Sequence, residues 1–229
     1  MNRARNLAIS ITWLMLLTPL IRAQDLSHYR ELRFGMNLLS AAQQIGVKAS
    51  EARTIHRRPA LIQELEWRPQ YLLGDPSIKK DPVRDLLLSF YNDELFRILV
   101  NYDRYKTEGL TDEDMIEALS ATYGTATRPT AKTISFSSSL VYNKKEKIIA
   151  CWEDAQSSFN LFRSYSETFG IVIFSKRLDA LARAAVVEAL RLDIQEAPER
   201  ELARKTKRDE ENRIAQEKAR LANKATFRP

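Results

Sequence analysis

The sequence predicts an α+β fold in which antiparallel β-sheet meanders pack against amphipathic helices. Three observations predict it: alternating apolar runs separated by short polar turns, helical patterns that follow sets of such runs, and a long charged segment at the C-terminal end. Each half carries adjacent strands followed by a helix, which suggests a two-fold repeat. We divide the chain into a signal peptide (1–23), a helix/β-hairpin/helix half (24–125), a meander with a covering helix (126–195) and a charged, partly disordered helical tail (196–229).

The first residues are typical of a secretory signal peptide. Arg3 and Arg5 precede an apolar run from Leu7 to Ile21, and the small residue Ala23 follows. The run is shorter than the roughly 20 residues that a membrane-spanning helix needs. We therefore expect cleavage after Ala23 rather than retention as an anchor, no stable membrane span afterwards, and a periplasmic or secreted protein.

The charge balance is only weakly basic. The chain has 36 Lys and Arg against 30 Asp and Glu, and residues 1–23 hold three of the arginines and no acid, which leaves +3 for the rest. Because the surplus is small and the expected address lies outside the cytoplasm, we expect no nucleic-acid partner.

The first half begins with a predicted helix in Gly35–Ile45, capped by Asn37 and ended by Gly46. A short helical turn is predicted near Ser50–Ile55, a strand at Ala60–Trp67 and a loop at Tyr71–Pro82.

A β-hairpin follows, with a two-residue turn at Asn92-Asp93. Alternation places one set of apolar residues on a common face of each strand: Leu86, Leu88 and Phe90, then Phe96, Ile98, Val100 and Tyr102.

The stretch TDEDM, Thr111 to Met115, has three successive acids that could hold a metal or begin a helix. Apolar residues recur behind it at helical spacing, and Asp114 lies three places after Thr111, as in a capping box. The alternate acids, glycine and distal glutamate of a calcium loop are absent. The sequence therefore favours a helix that ends at Gly124.

Four strands are predicted in the second half, at Thr133–Tyr142, Lys147–Trp152, Phe159–Arg163 and Phe169–Phe174. A helix over Lys176–Asp193 follows, with one face expected to cover the sheet: Leu178, Leu181, Ala185, Ala189 and Leu192.

In the tail, Pro198 suits a helix start, and three pairs have helical ion-pair spacing: Glu201–Lys205, Asp209–Arg213 and Glu217–Arg220. The apolar residues are too sparse for a sustained heptad seam. A solvated single helix and a partner-binding, coiled-coil helix both remain open.

The sequence contains few patterns that are typical of catalytic sites. We expect no cofactor and no metal site. His28 and His56 lack zinc-ligand companions, and Cys151 lies in an apolar strand, where a lone cysteine is typically a small buried hydrophobe. A Cys151–His56 pair stays conceivable. The candidate carboxylate pairs for glycoside hydrolysis are Glu64 with Glu66, and Glu153 with Asp154, and each also fits a strand face or a turn.

Binding is the better supported class. The candidate binding residues are Arg53, Arg57, Arg58, Trp67, Arg204, Lys205, Lys207 and Arg208. The aromatic residues Trp67, Trp152, Tyr91, Tyr102 and Tyr105 fit either a sugar-stacking platform or ordinary core and edge positions.

The segments FGMNLLSAAQQIG and FYNDELFRILVNYD, within Phe34–Tyr102, resemble small bacterial envelope modules. These modules occur in the lipoprotein subunit of the outer-membrane β-barrel assembly machine and in the β-lactamase inhibitor protein. The resemblance implies helices packed on an antiparallel sheet. This chain differs from the lipoprotein in lacking a lipidated cysteine and in its long charged tail.

We therefore expect an exported, non-catalytic protein that binds a protein partner in the cell envelope through a sheet edge or the charged C-terminal helix. The alternatives are an exported hydrolase or hydrolase inhibitor, and an envelope protein that binds an anionic polymer through Arg53, Arg57, Arg58 and the tail.

Overall fold

The computed structural model confirms the α+β class and describes residues 25–69, 81–128, 133–136, 144–164, 167–226 and 228. The predicted signal peptide (1–23), most of the predicted loop 71–82 and the second part of the strand predicted at Thr133–Tyr142 lie outside these ranges. The described strands form a two-stranded ribbon and an eight-stranded antiparallel sheet.

The first half contains a ribbon, two helices and four strands of the large sheet. In chain order they are β1 (His28–Tyr29), β2 (Leu32–Arg33), α1 (Leu38–Gln44), a 3-10 turn (Ala49–Glu51), β3 (Arg53–His56), β4 (Ile62–Trp67), β5 (Val83–Tyr91), β6 (Glu94–Tyr102) and α2 (Asp112–Tyr123). The helical turn predicted near Ser50–Ile55 is thus right only for its first residues, because Arg53–His56 pairs with β4 as a strand.

The second half supplies the other four strands and a single long helix. They are β7 (Thr133–Phe136), β8 (Lys144–Glu153), β9 (Ser157–Arg163), β10 (Phe169–Ser175) and α3 (Lys176–Thr226). Pro198 lies inside α3 and does not start a helix, so the predicted boundary at residue 196 is absent from the backbone.

The strand order of the large sheet is symmetric about its centre, β3-β4-β5-β6-β10-β9-β8-β7. The last strands of the two halves pair there, with Val100 opposite Ile171. The helices break this symmetry, because α2 packs on one face of the sheet and α3 on the other. The repeat suggested by the sequence is therefore limited to the strands.

Both helix starts in the first half follow the predicted caps. The Asn37 side chain accepts a hydrogen bond from the Ser40 backbone N–H. Thr111 and Asp114 form the predicted capping box, and Gly124 caps the end of α2. In this structure TDEDM therefore satisfies free backbone N–H groups at the start of α2.

The main core lies between the sheet and the layer formed by the ribbon, α1 and α2. The inward-facing residues of the hairpin contribute to it as predicted, with one exception. A β-bulge between β5 and β6 adds Phe96 to its strand, so Ser89 pairs with Arg97 while Phe90 pairs with Leu95. Phe96 therefore faces α3 and not the main core.

α3 covers part of the opposite face. Its buried residues are Leu178, Asp179, Ala182, Ala185, Val186 and Ala189. The buried stripe thus differs from the predicted one, since Leu181 is 41% exposed and Leu192 is half-buried. Bulky Phe96, Ile62 and Tyr91 rise from the sheet, and the small alanines of α3 let the helix approach them closely.

Candidate functional site

The C-terminal part of α3 has no contact that buries it. Every residue from 197 to 226 is exposed, and we call this segment the arm. At 1.5 Å per residue the arm is about 45 Å long. Because α3 is continuous from Lys176, the arm is a direct extension of the helix that packs on the sheet.

Ion pairs one turn apart run along the arm. Glu217–Arg220 forms as predicted, with nitrogen and oxygen 2.6 Å apart. Glu201 pairs with Arg204, and Arg213 pairs with Glu210, in place of the predicted partners Lys205 and Asp209. A hydrogen bond from Arg213 lowers the pKa of Glu210, and one from Arg220 lowers the pKa of Glu217.

The base of the arm is tied to the sheet edge at β3. Arg58, in the loop after β3, bonds the Glu196 carboxylate, and Arg200 bonds both Glu196 and Asp193. Hydrogen bonds from Arg58 and then Arg200 hold the pKa of Glu196 below its usual value. This network marks the point where α3 leaves the sheet.

The structure brings part of the predicted binding set together. Arg58 contacts Glu196 at the base of the arm. Arg204 lies eight residues after Glu196, about 12 Å further along the helix. Several of the predicted cations are already paired: Arg53 with Glu64, Arg58 with Glu196, Arg204 with Glu201 and Lys207 with Glu211. Arg57, Lys205 and Arg208 are exposed beside them.

The positive charge of the chain is concentrated at this end. Residues 196–229 contain ten Lys and Arg and seven Asp and Glu, whereas residues 24–195 contain 23 of each. The +3 surplus outside the predicted signal peptide therefore lies within residues 196–229.

Trp67 lies elsewhere, at the far end of β4 from the arginines. It lines a cavity of about 230 Å³ between the ribbon, the end of α1 and strands β4 and β5. The remaining lining residues are Tyr29, Arg30, Glu31, Leu32, Gln44, Ile45, Asp81 and Leu86. The sequence did not indicate the ribbon residues, because two-residue strands are too short to show a period.

An ion pair closes one side of this cavity. Both Arg30 terminal nitrogens donate to the Asp81 carboxylate at 2.8 Å, and the guanidinium lies 5.3 Å from the centre of the Tyr29 ring. The Arg30 hydrogen bonds lower the pKa of Asp81. Burial raises the pKa values of Tyr29, Tyr102 and Tyr123, to about 12 for Tyr123.

The other predicted aromatic residues do not form a platform. Trp152 is buried and donates to the Gly124 carbonyl at 2.7 Å. Tyr102 lies in the main core, Tyr91 packs on the α3 side, and Tyr105 is exposed. These are separate positions, so the sugar-stacking interpretation is wrong for this group.

The candidate carboxylates have structural partners. Buried Glu64 accepts from Arg53, and Glu66 pairs with Arg68. Glu153 bonds Ser158 and Lys176, whereas Asp154 accepts the backbone N–H groups of Gln156 and Ser157 in the turn between β8 and β9. The turn and strand-face interpretations therefore fit both pairs.

The Cys151–His56 pair is contradicted by the strand order. Cys151 is on β8 and His56 on β3, with five strands between them. Six inter-strand steps of about 4.8 Å separate them by roughly 29 Å. Cys151 is buried as predicted, with Sγ 3.1 Å from the Asn160 side-chain oxygen.

Within the part of the chain that the structure describes, no group of three or more His, Cys, Asp and Glu side chains could hold a metal ion. In the same residues, no helix has both the length and the apolar character needed to cross a membrane.

Comparisons with known proteins give no match to a protein-family model, a curated protein or a solved structure. The resemblance to bacterial envelope modules therefore stays a prediction.

Proposed function

We propose that this chain is an exported, non-catalytic binding protein of the cell envelope, and that the arm is its contact surface for a protein partner. The observation that carries the proposal is the arm itself: about thirty exposed residues that continue a helix anchored on the sheet. Apart from exposed Leu202, Ile214 and Leu221 the arm has no large apolar side chain, and an exposed, largely polar helix is typical of segments that bridge to another body.

The anchoring supports this function. The buried residues of α3, together with the Arg58–Glu196 contact, set the direction in which the helix leaves the sheet edge, so the arm reaches about 45 Å from a defined origin. Pre-organisation of this kind lowers the entropy lost when a partner binds.

The charge pattern favours a protein over an anionic polymer. A polymer site gains affinity from a concentrated run of like charge. Along the arm, a short block of bases at residues 204–208 is followed directly by three acids at residues 209–211, and acids pair with bases one turn away, as Glu210 does with Arg213. Mixed charges suit a partner with its own pattern of both signs, which electrostatic complementarity can select.

The hydrolase alternative gains no support from the carboxylate pairs, because Glu64, Glu66, Glu153 and Asp154 each have an ion-pair or turn partner.

Site-specific photo-crosslinking in cells tests the proposal. A photoreactive residue replaces Ala215 on the arm or, as the matched control, Glu113 on the exposed face of α2. We expect one protein adduct from position 215 and none from position 113. Unlabelled full chain should compete for capture, whereas a competitor that ends at Glu196, and so lacks the arm, should leave capture intact.

Two outcomes would contradict the proposal. Equal adducts from both positions would show that capture is not specific to the arm. Absence of a protein adduct at position 215, together with binding to an anionic polymer that falls steeply as salt rises, would favour the polymer interpretation.

A further inference from the structure

We propose that the outer face of α3 binds the same face of a second copy of this chain, with the two helices antiparallel. We call this face the seam, and it consists of Arg183, Val187, Leu190, Ile194, Ala197 and Glu201. The seam shares only residues 197–201 with the arm. The inference therefore stands whether or not the rest of the arm binds a protein partner.

The seam lies on the side of α3 that faces away from the sheet. Ala182, Ala185 and Ala189 are buried against the sheet, whereas every seam residue is exposed. Successive seam residues are four, three, four, three and four positions apart. This heptad spacing is the one that keeps side chains along the contact line of two helices packed side by side. The seam is thus a helix face with the geometry for a second helix.

The middle of the seam is apolar and open to solvent. The exposed fractions are 67% for Val187, 49% for Leu190 and 75% for Ile194. Exposed Ala197 continues the same surface by one turn. A run of exposed apolar side chains between charged ones is typical of a protein contact surface. Covering these residues supplies the driving force for association.

The two ends of the seam carry opposite charges. Arg183 precedes the apolar residues, and Glu201 follows them. Antiparallel pairing brings Arg183 of each copy to Glu201 of the other, whereas parallel pairing brings like charges together. The bond from Arg183 to Asp179 uses Nε, which leaves the terminal nitrogens of the guanidinium for a second carboxylate. Glu201 accepts from Arg204 and has further lone pairs.

The register that aligns these charges also aligns the apolar residues. With Arg183 opposite Glu201 of the second copy, Val187 lies opposite Ala197 and Leu190 lies opposite Ile194. Because the pair has two-fold symmetry, each contact occurs twice, which gives four apolar layers between two charged ends. The seam is therefore complementary to itself when one copy is reversed. This self-complementarity favours a second copy over an unrelated helix, and two-fold pairs are the commonest homo-oligomers.

The charges that flank the middle of the seam are already paired within each helix. Arg191 bonds Glu188 at 2.6 and 2.8 Å, and Arg200 bonds Asp193 at 3.1 Å. Near the symmetry axis Arg191 approaches Arg191 of the second copy, and Asp193 approaches its counterpart in the same way. Pairing within each helix weakens the repulsion between these like charges. The flanks therefore permit the antiparallel register.

Sedimentation equilibrium of the purified full chain, from low to high micromolar concentration, tests the association. Four apolar layers make a small interface, so we expect a reversible dimer with a Kd in the micromolar range. Ile194→Lys should weaken the dimer about tenfold or more, because it places a charge in an apolar layer. Ile214→Lys is the matched control, since Ile214 is also exposed and lies outside the seam. Lysine favours helix at least as well as isoleucine, so both variants should keep the parent melting temperature.

Disulfide formation tests the orientation. The sequence has one cysteine, Cys151, and it is buried. Mild oxidation of a mixture of the Val187→Cys and Ala197→Cys variants should join position 187 of one copy to position 197 of the other. Val187→Cys alone should form little disulfide, because the two copies of that residue lie about 15 Å apart along the pair.

In cells, a photoreactive residue at position 187 should give an adduct of twice the mass of the chain. An adduct of another mass, without the doubled one, would assign this face to a different protein and overturn the inference.

Three further results would overturn it. These are a monomer at every concentration, a dimer that Ile194→Lys leaves unchanged, and a disulfide that forms faster between two copies of Val187→Cys than in the mixture. The proposed function fails separately, because Ala215 lies beyond the seam. A protein adduct at Ala215 beside a monomeric chain would leave the arm's function standing, and a dimer without that adduct would do the reverse.

Discussion

The two parts of α3 form one continuous helix but are stabilised in different ways. Residues 176–196 lie on the sheet, where Leu178 and Val186 are buried and Asp179 bonds Arg97. Residues 197–226 are wholly exposed and are linked by ion pairs one turn apart. Such pairs contribute only about 0.2–0.5 kcal/mol each. Tertiary packing therefore stabilises the first part, whereas local ion pairing alone stabilises the second.

The largest effect should come from the buried ion pair in the packed part. The side chains of Arg97 and Asp179 are 5% and 7% exposed. Asp179→Ala leaves the Arg97 guanidinium buried without its carboxylate, and we expect a loss of about 3–5 kcal/mol in the free energy of unfolding. Urea unfolding measures it. A loss under 1 kcal/mol would show that water reaches the Arg97 guanidinium and replaces the carboxylate.

A matched pair of leucines gives the next largest difference. Leu178 is 5% exposed and packs on the sheet, whereas Leu202 is 66% exposed on the arm. Leu178→Ala should lower the free energy of unfolding by about 2–3 kcal/mol, because it removes buried surface and leaves a cavity. Leu202→Ala should change it by less than about 0.5 kcal/mol. Equal losses would mean that the arm is packed in solution.

The junction should respond to pH. Bonds from Arg58 and Arg200 lower the pKa of Glu196 below 4.5. The stabilisation is therefore present above the pKa of the unfolded chain and is lost as pH falls through the lower pKa of the folded chain. In melting curves between pH 6 and pH 3, Glu196→Gln should flatten this acid-side decrease, and exposed Glu199→Gln should not. Identical pH profiles for both variants and the parent would show that ionisation of Glu196 does not contribute to stability.

The smallest effect should come from removing the arm. A chain that ends at Glu196 keeps the Arg58 contact and every buried residue of α3. We expect an unchanged melting temperature within about 1 °C, because no packed surface is lost. Circular dichroism should show fewer helical residues. A clear drop in the melting temperature would reveal contacts between the arm and the sheet domain.

Much of the fold was predictable because its signals are local. The Asn92-Asp93 turn takes left-handed φ values of 48° and 69°, as a tight hairpin requires, and Thr111 with Asp114 forms the expected cap. What was missed depends on three-dimensional context. The bulge that turns Phe96 toward α3 leaves no periodic mark, because it inserts a single residue into an otherwise regular strand.

Helix continuity through Pro198 was missed for a related reason. Proline removes one backbone hydrogen bond and is typical of a helix start. The arginine and glutamate pairs on either side, including Arg200 with Glu196, hold the turns around it. Of the candidate binding residues, the sequence indicated Trp67 but gave no signal for Tyr29 and Arg30, which complete its cavity.

The symmetric strand order has a consequence for how the chain folds. Within each half, successive strands are neighbours, so their contacts join residues that are close in sequence. β6 and β10 instead pair across about seventy residues, as Val100 does with Ile171. Closing that loop carries the larger entropic barrier, so the halves should assemble early and their joining should limit the folding rate. Substitutions at the β6–β10 seam should then slow folding, whereas those at the outer strands should mainly speed unfolding.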